Sequence, residues 1–331
     1  MIREFQDSDL PELLAFLDRW NPDHPELGEG EIVKWQRCFK WISRSRDGII
    51  GYIAQIPHEF RYGLPSGRVG VERLGWGVTL VLDMSDDERA QRRRSAAVHE
   101  LLTAAEKNQP WQFAAVGVVP IIEEAYIRRG HHIRRDCAGM FARFLKPAKA
   151  LAYLGKSSLW APALRAANAI IRPSGTLRHG TVTRIESFDP AWDGLWDRLL
   201  SEQKQLYGIR TAEYLNYKLT QPNREYHCYT HSDNGYVVFR LATHRTRDLK
   251  LVKICDLVGT PHAKTDLASL AVDFAYTHHA HGIVALGSND ERSIYKAVGL
   301  YVARPYPIAM PAHITADMHV TFFDSDLDNL W

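Results

Sequence analysis

Stretches from the two halves of this chain echo one another at a nearly constant distance, and that echo limits the fold more than any single motif does. Asp9 precedes Leu10, Leu13, Leu14 and Leu17, which share one helical face. Asp189-Pro190 precedes Trp192, Leu195, Trp196 and Leu199 in the same way, 180 residues on (189 − 9). Gly51-Tyr52 returns as Gly235-Tyr236 at an offset of 184 (235 − 51), and Tyr126-Ile-Arg-Arg-Gly130 as Tyr295-Lys-Ala-Val-Gly299 at 169 (295 − 126). Solenoid repeats run about 20 to 50 residues, so a period this long predicts a duplicated domain. The offset shrinks by 15 (184 − 169), which gives the second copy a shorter central segment. A chain of 331 residues accommodates two domains, expected here at 1–146 and 181–331, with a linker at 147–180.

Within the first half the reading is two helices, three strands, helix, strand, helix, strand. Asp9 is placed to cap the first helix with Glu12 at its third position, and Trp20-Asn-Pro-Asp-His-Pro25 ends it. A second helix is expected at about Glu29 to Trp41, strands at Ile49–Ile56 and Val69–Leu82, and a helix from about Ser95 to Lys107. Further strands are expected at Trp111–Val119 and, closing the half, at about Ile133–Leu145.

The 41 basic and 39 acidic residues leave a net charge of +2, which gives no global footprint for nucleic acid. Cys38, Cys137, Cys228 and Cys255 are widely separated, with no C-x-x-C pair for zinc or redox chemistry, and no metal is expected. The acidic, amphipathic N-terminus lacks the pattern of a secretory signal, and no 18-residue apolar run occurs, so the cytoplasm is the expected location. Lys146 to Gly180 carries six Lys or Arg and no acid. Two short helices are expected there, broken at Gly155 to Ser158 and ended by Pro173; they either pack between the domains or lie on the inner, anionic face of a membrane.

One stretch carries candidate chemistry. The apolar run Val78–Leu82 ends at Asp83, and before the helical stripe of Val98, Leu101, Leu102 and Ala105 come Arg89, Arg92, Arg93 and Arg94, then Ser95, Ala96 and Ala97. Cationic side chains and approachable backbone N–H groups at a helix start suit an anion; the alternative is a solvated basic helix start. In the second half, Asp256 ends the apolar run Leu251–Cys255 as Asp83 ends its own. Either carboxylate is placed to accept a proton, or merely caps the loop that follows.

The order strand, basic turn with small residues, helix resembles the acyl-CoA site of the GNAT acyltransferase superfamily, whose fingerprint there is Arg or Gln, two residues, Gly, one residue, Gly or Ala. Arg92, Ser95 and Ala97 match it in one register, and Arg93, Ala96 and Val98 in another. The resemblance implies an α/β fold of two tandem GNAT-like domains, each a mixed central sheet flanked by helices. It also implies acetyl-CoA or another acyl-CoA as donor, held by Leu80, Val81 and Leu82, by Arg92, Arg93 and Arg94, and by Ser95, Ala96 and Ala97.

Tyr126 with Gly130, and Tyr295 with Gly299, resemble the family's second signature, in which the tyrosine hydroxyl protonates the departing thiolate; the alternative for each is a core aromatic. Asn289 fits the asparagine often found upstream, and His24 would face the acceptor. The halves together resemble tandem GNAT proteins of polysaccharide-biosynthesis clusters, Fem-type aminoacyltransferases and mycothiol synthase. The implied reaction is acyl transfer to an amine or hydroxyl of a sugar or of a cell-envelope precursor, small or lipid-linked. Alternatives are an aminoacyl-tRNA donor, or an inactive scaffold in glycan synthesis. Asp324, Asp326 and Asp328 are spaced like the start of an EF-hand loop, but Asn329 replaces its glycine, and the tail reads as a solvated acidic turn. His278, His279 and His281 fall near a helix end without spaced metal partners.

Overall fold

The computed structural model describes residues 2–20, 30–35, 37–64, 66, 68–83, 88–107, 111–118, 120–153, 159, 161–170, 181–201, 205–232, 235–244 and 249–325. In the first half these form β1 (Ile2–Glu4), α1 (Leu10–Trp20), α2 (Gly30–Trp35), β2 (Phe39–Ser45), β3 (Gly48–Gly63), β4 (Val69–Leu82), α3 (Glu88–Lys107), β5 (Gln112–Val116), α4 (Pro120–Ile127), β6 (His131–Arg134) and β7 (Ala138–Phe144). Two helices, α5 (Pro147–Tyr153) and α6 (Ala161–Ile170), follow where the linker is expected; its break at 155–158 and its end at Pro173 fall outside the described residues. The second half has β8 (Val182–Ile185), α7 (Ala191–Ser201), β9 (Leu206–Gly208), α8 (Ala212–Leu219), β10 (Tyr226–His231), β11 (Gly235–His244), β12 (Leu249–Gly259), α9 (Pro261–Thr277), β13 (Gly282–Ser288), α10 (Arg292–Ala297), β14 (Tyr301–Pro305), β15 (Ile308–Pro311), β16 (Met318–His319) and α11 (Phe322–Ser325).

The strands make two mixed sheets flanked by helices. The first runs β1-β2-β3-β4-β5-β15-β6, with β9 paired to the far end of β3 and β16 paired to β9. The second runs β14-β7-β13-β12-β11-β10-β8. Each sheet therefore holds, between its middle strand and an outer one, a strand from the other half of the sequence: β15 lies between β5 and β6, and β7 between β13 and β14. The single closing strand expected at 133–145 is thus two strands in two sheets, parted by the turn Arg135–Cys137.

Other expectations shift for local reasons. The helix expected at 29–41 stops at Trp35, and Phe39–Ser45 is a strand whose Trp41 and Ile42 are buried. β3 runs on through Pro57 because that proline falls where β2 has already ended, its last partner being Gln55, and β9 has not begun, its first being Phe60; no bond to its missing N–H is needed there. Asp9 and Glu12 do not form the expected cap for α1: Arg3 and Arg44 hold Asp9, and Glu12 binds Arg44 and the Ile49 amide, tying the helix to β1, β2 and β3.

The largest core takes members from both sheets, including Ala114, Val116 and Ile308 of the first and Leu249, Leu251, Val284 and Leu286 of the second. On the outer face of the first sheet, Val98, Leu101, Leu102 and Ala105 pack onto Trp41 and Ile53, as the stripe in α3 requires.

Candidate active site

The same backbone device opens both sheets. β4 and β5 are parallel neighbours from Leu74↔Gln112 to Gly77↔Ala115, and the next residue, Val78, is a bulge, since Gln55 pairs with Gly77 and Ala54 with Thr79. In the second sheet the parallel pair ends at Ile254↔Ala285, and Cys255 is the bulge between the pairs Phe239↔Ile254 and Val238↔Asp256. An extra residue bends its strand and ends the pairing. Each sheet therefore splits at the carboxyl ends of its parallel strands, where α/β sheets bind ligands. The echoed Gly51-Tyr52 and Gly235-Tyr236 each begin three residues before the bulge partner, Ala54 or Val238.

The first mouth has apolar walls. Val81 is buried, with Leu80 and Leu82 half-buried beside it, and Val116, Gly117 and Val118 stand opposite. Asp83 sits half-buried at the rim, its amide donating to the Ile50 carbonyl at 2.9 Å. Gly117 has φ +71°, which turns the chain out of β5, and its amide and that of Val118 both donate to the Pro307 carbonyl, at 2.9 and 3.2 Å. A β-carbon on Gly117 would lie 2.8 Å from the hydroxyl of Tyr306. Tyr306 follows Pro305 at the end of β14, so this hydroxyl reaches the first mouth from the second half of the chain.

Helix α3 begins at Glu88, seven residues before the expected start, because Arg, Gln and Ala are good helix formers and the acidic Asp86, Asp87 and Glu88 complement a helix N-terminus. Arg92, Arg93, Arg94 and Ser95 thus lie in its second turn rather than in a preceding loop; their side chains fall outside the described residues. The backbone amides of Ser95, Ala96 and Ala97 are committed to helical hydrogen bonds, which corrects the expectation that they cradle a phosphate. The amides without an intrahelical acceptor are those of the first turn, Glu88 to Gln91. Ala97 is buried against the sheet and Ala96 is exposed. His24 lies outside the described residues.

The second mouth is clasped by charge. Lys264, in the first turns of α9, reaches Glu291, which follows β13, at 2.6 Å; His319 Nε2 lies 3.1 Å from the same carboxylate oxygen and stacks on Tyr207. All three are buried. Burial alone would raise the Glu291 carboxyl, but the His319 and Lys264 charges outweigh it and hold the group well below its ordinary range.

Asp256 does not face an open cleft. It is fully buried, and Arg210 grips it through Nε at 2.7 Å and Nη2 at 3.2 Å while the Tyr236 hydroxyl donates to it. The other side of the Arg210 guanidinium holds Asp324, at 2.7 and 2.8 Å. A carboxylate so paired is an acceptor already satisfied, not a base. Asp324 is also buried and takes His58 at 3.1 Å, which overturns the reading of the acidic tail as solvated up to that residue; Asp326 and Asp328 lie outside the described residues. Burial would push the Asp324 carboxyl up, yet Arg210 and the hydrogen bond from His58 hold it far below the usual range, while burial pulls the His58 imidazole down.

The two signature tyrosines are buried. Tyr126 stacks on Phe113, the second residue of β5, with ring centroids 5.6 Å apart, and burial raises its phenol. Tyr295 stacks on Phe141 at 4.5 Å and abuts Gly287; its hydroxyl has no hydrogen-bond partner. Asn289 donates its side-chain amide to the Asp136 carbonyl, in the turn between β6 and β7. His278 and His281 bind backbone at the end of α9 and the start of β13, His278 through Phe274 O and His281 through Lys250 N. Among the described residues, no cluster of three metal-ligating side chains occurs and no helix is long and apolar enough to cross a membrane.

No protein-family model matches this chain, and neither does any curated protein sequence. Solved structures do. A probable N-acyltransferase from Enterococcus faecalis aligns with 95% of this chain and 72% of its own, at 10% identity and a TM-score of 0.57. A GCN5-related N-acetyltransferase from Kribbella flavida aligns with 93% and 70%, at 14% identity and 0.54. An N-myristoyltransferase from Saccharomyces cerevisiae, solved with bound myristoyl-CoA and inhibitors, aligns with 93% and 79%, at 12% identity and 0.62. The two split mixed sheets are thus the fold shared by GCN5-related N-acetyltransferases and N-myristoyltransferase.

Proposed function

We propose that this chain is an acyl-CoA-dependent N-acyltransferase that binds its donor in the first mouth. The observation that carries this reading is the contrast between the openings: Leu80–Leu82 and Val116–Val118 offer apolar walls to an acyl-thioester arm, while buried ion pairs fill the second. The similar N-acyltransferase, N-acetyltransferase and N-myristoyltransferase structures, the last with myristoyl-CoA bound, support the same donor class. The thioester is already activated, so positioning supplies most of the rate. The amides of the first turn of α3 would meet the phosphates, with Arg92, Arg93 and Arg94 as the cations proposed to bind them. Asp83, half-buried at the rim, is placed to accept the acceptor's proton. For the acceptor, an amine is favoured by the similar N-acyltransferases, and a sugar or cell-envelope amine by the sequence resemblance alone. We assign 1–146 and 181–331 as duplicated domains that have exchanged a strand, joined by the helical linker 147–180.

Calorimetric titration with acetyl-CoA, longer acyl-CoAs and free CoA tests the donor. Binding should occur, and Arg92, Arg93 and Arg94 all changed to Ala should weaken it by a few kcal/mol in total, at about 1.5 to 3 for each charged hydrogen bond lost. No binding by any of these compounds rejects the reading, and undiminished binding by the triple variant rejects the placement.

A further inference from the structure

On the acyl-transfer reading the signature tyrosine of the first half is withdrawn from its place at the first mouth, since Tyr126 is packed beside Phe113 and His131 within the outer core. Tyr306 occupies that place from the other half. It lies in the short crossover between β14 of the second sheet and β15 of the first, bracketed by Pro305 and Pro307, whose fixed backbone angles leave the segment few alternatives. Three backbone hydrogen bonds fasten it. The Tyr306 amide donates to the Ala138 carbonyl at 2.9 Å, at the start of β7, and the Pro307 carbonyl accepts from both Gly117 and Val118. The ring is buried in the core shared by the two sheets, with the Arg304 guanidinium 5.5 Å from its centroid. Its hydroxyl reaches Gly117, the residue at which β5 leaves the sheet, and any side chain there would collide with it.

We propose that the Tyr306 hydroxyl is a catalytic hydrogen-bond donor to the thioester carbonyl oxygen, supplied to the first mouth by the opposite half of the chain. This rests on the acyl-CoA reading given above. The acceptor's nitrogen adds to the carbonyl carbon and negative charge collects on the oxygen, where the phenol O–H meets it. The C–S bond then breaks as the carbonyl re-forms, and the proton given up by the acceptor balances the one taken by the departing thiolate. Tyr306 keeps its own proton throughout. Burial pushes its phenol up to about 12, against the opposing pull of Arg304, so the group is neutral at working pH and donates without ionising. A fixed donor aimed at developing charge is the kind of group whose removal costs about 10²- to 10³-fold in turnover.

The test is Tyr306→Phe in the full chain. CoA-thiol release from acetyl-CoA is followed with hydroxylamine or water as acceptor, alongside calorimetric affinity for free CoA and thermal unfolding. Turnover should fall about 10²-fold or more while CoA affinity and the unfolding temperature stay put. Gly117→Ala, which displaces the hydroxyl but leaves Tyr306 in the chain, should lower turnover in the same way. Undiminished turnover in Tyr306→Phe overturns the proposal, and so does a loss of CoA affinity in step with turnover, which would make Tyr306 a binding residue. A wild-type chain that binds CoA but releases no thiol also overturns it. A wild-type chain that binds none of these compounds overturns the donor reading itself.

Discussion

The two mouths of this molecule share one backbone design and differ in what finishes it. At both, a bulge follows the last parallel pair and the strands part. The first then presents leucine, valine and glycine, the second Asp256, Lys264, Glu291 and His319. On the proposed reading, an acyl-thioester arm entering the first would displace water from apolar walls. Entering the second, it would have to part buried ion pairs, each ion of which costs several kcal/mol to leave uncompensated. One backbone design thus makes an opening twice; whether an opening can serve as a site depends on a few side chains at its rim.

The contrast can be broken most severely by separating the halves. Residues 1–146 made alone should show no cooperative unfolding transition, because β7 would have lost β13 and β14 while β5 and β6 would have lost β15; far-UV circular dichroism through a denaturant series reads this out. A fragment that unfolds cooperatively would show that the exchanged strands are not required.

The next effect is at the charged mouth. Arg210→Met strands Asp256 and Asp324 without their cation and should cost about 3 to 5 kcal/mol in denaturant unfolding. The parent chain should lose stability toward acid in two stages with the same sign. His58 is held below its ordinary range, so its contribution is present above about pH 6.5 and fades as the pH falls below that. Asp324 and Glu291 are also held low, so theirs is present above about pH 4 and fades below it. Stability that rises on acidification from neutral pH would contradict this reading of the networks.

The smallest change is the most discriminating between tyrosines. Tyr295→Phe removes a buried hydroxyl that has no partner, so stability should hold or rise by about 1 kcal/mol, with acyl transfer untouched. A large loss of turnover would move the reaction to the second mouth.

The sequence revealed what periodicity and local chemistry encode. The stripe Val98, Leu101, Leu102, Ala105, the strand Val69–Leu82 and the echo of Gly51-Tyr52 in Gly235-Tyr236 all correspond to structure at those positions. What it concealed depends on partners far away in the chain. Nothing local marks Asp324 as buried, because its cation, Arg210, lies 114 residues upstream (324 − 210) and the neighbouring Asp326 and Asp328 suggest solvent. The same holds for Asp256, which reads as an end-of-strand acid until Arg210 is placed beside it. Residues 133–145 read as one closing strand of their own half, since a strand's pattern tells which face is buried but not which sheet it joins. Tyr306 had one legible signal, the prolines on either side of it, which mark a stiff crossing rather than a flexible loop.

The exchanged strands also bear on how such a chain can change over generations. A half whose opening is filled by ion pairs would ordinarily be free to erode or to be deleted. Here it cannot be, because β15 completes the sheet that keeps its opening, and the segment joining β14 to β15 is fastened to Gly117 and Val118. Substitutions around Pro305–Pro307 would therefore register as defects of a mouth encoded nearly two hundred residues upstream (306 − 117 = 189), and a reading frame split at the linker would yield two incomplete sheets rather than one retired domain and one survivor.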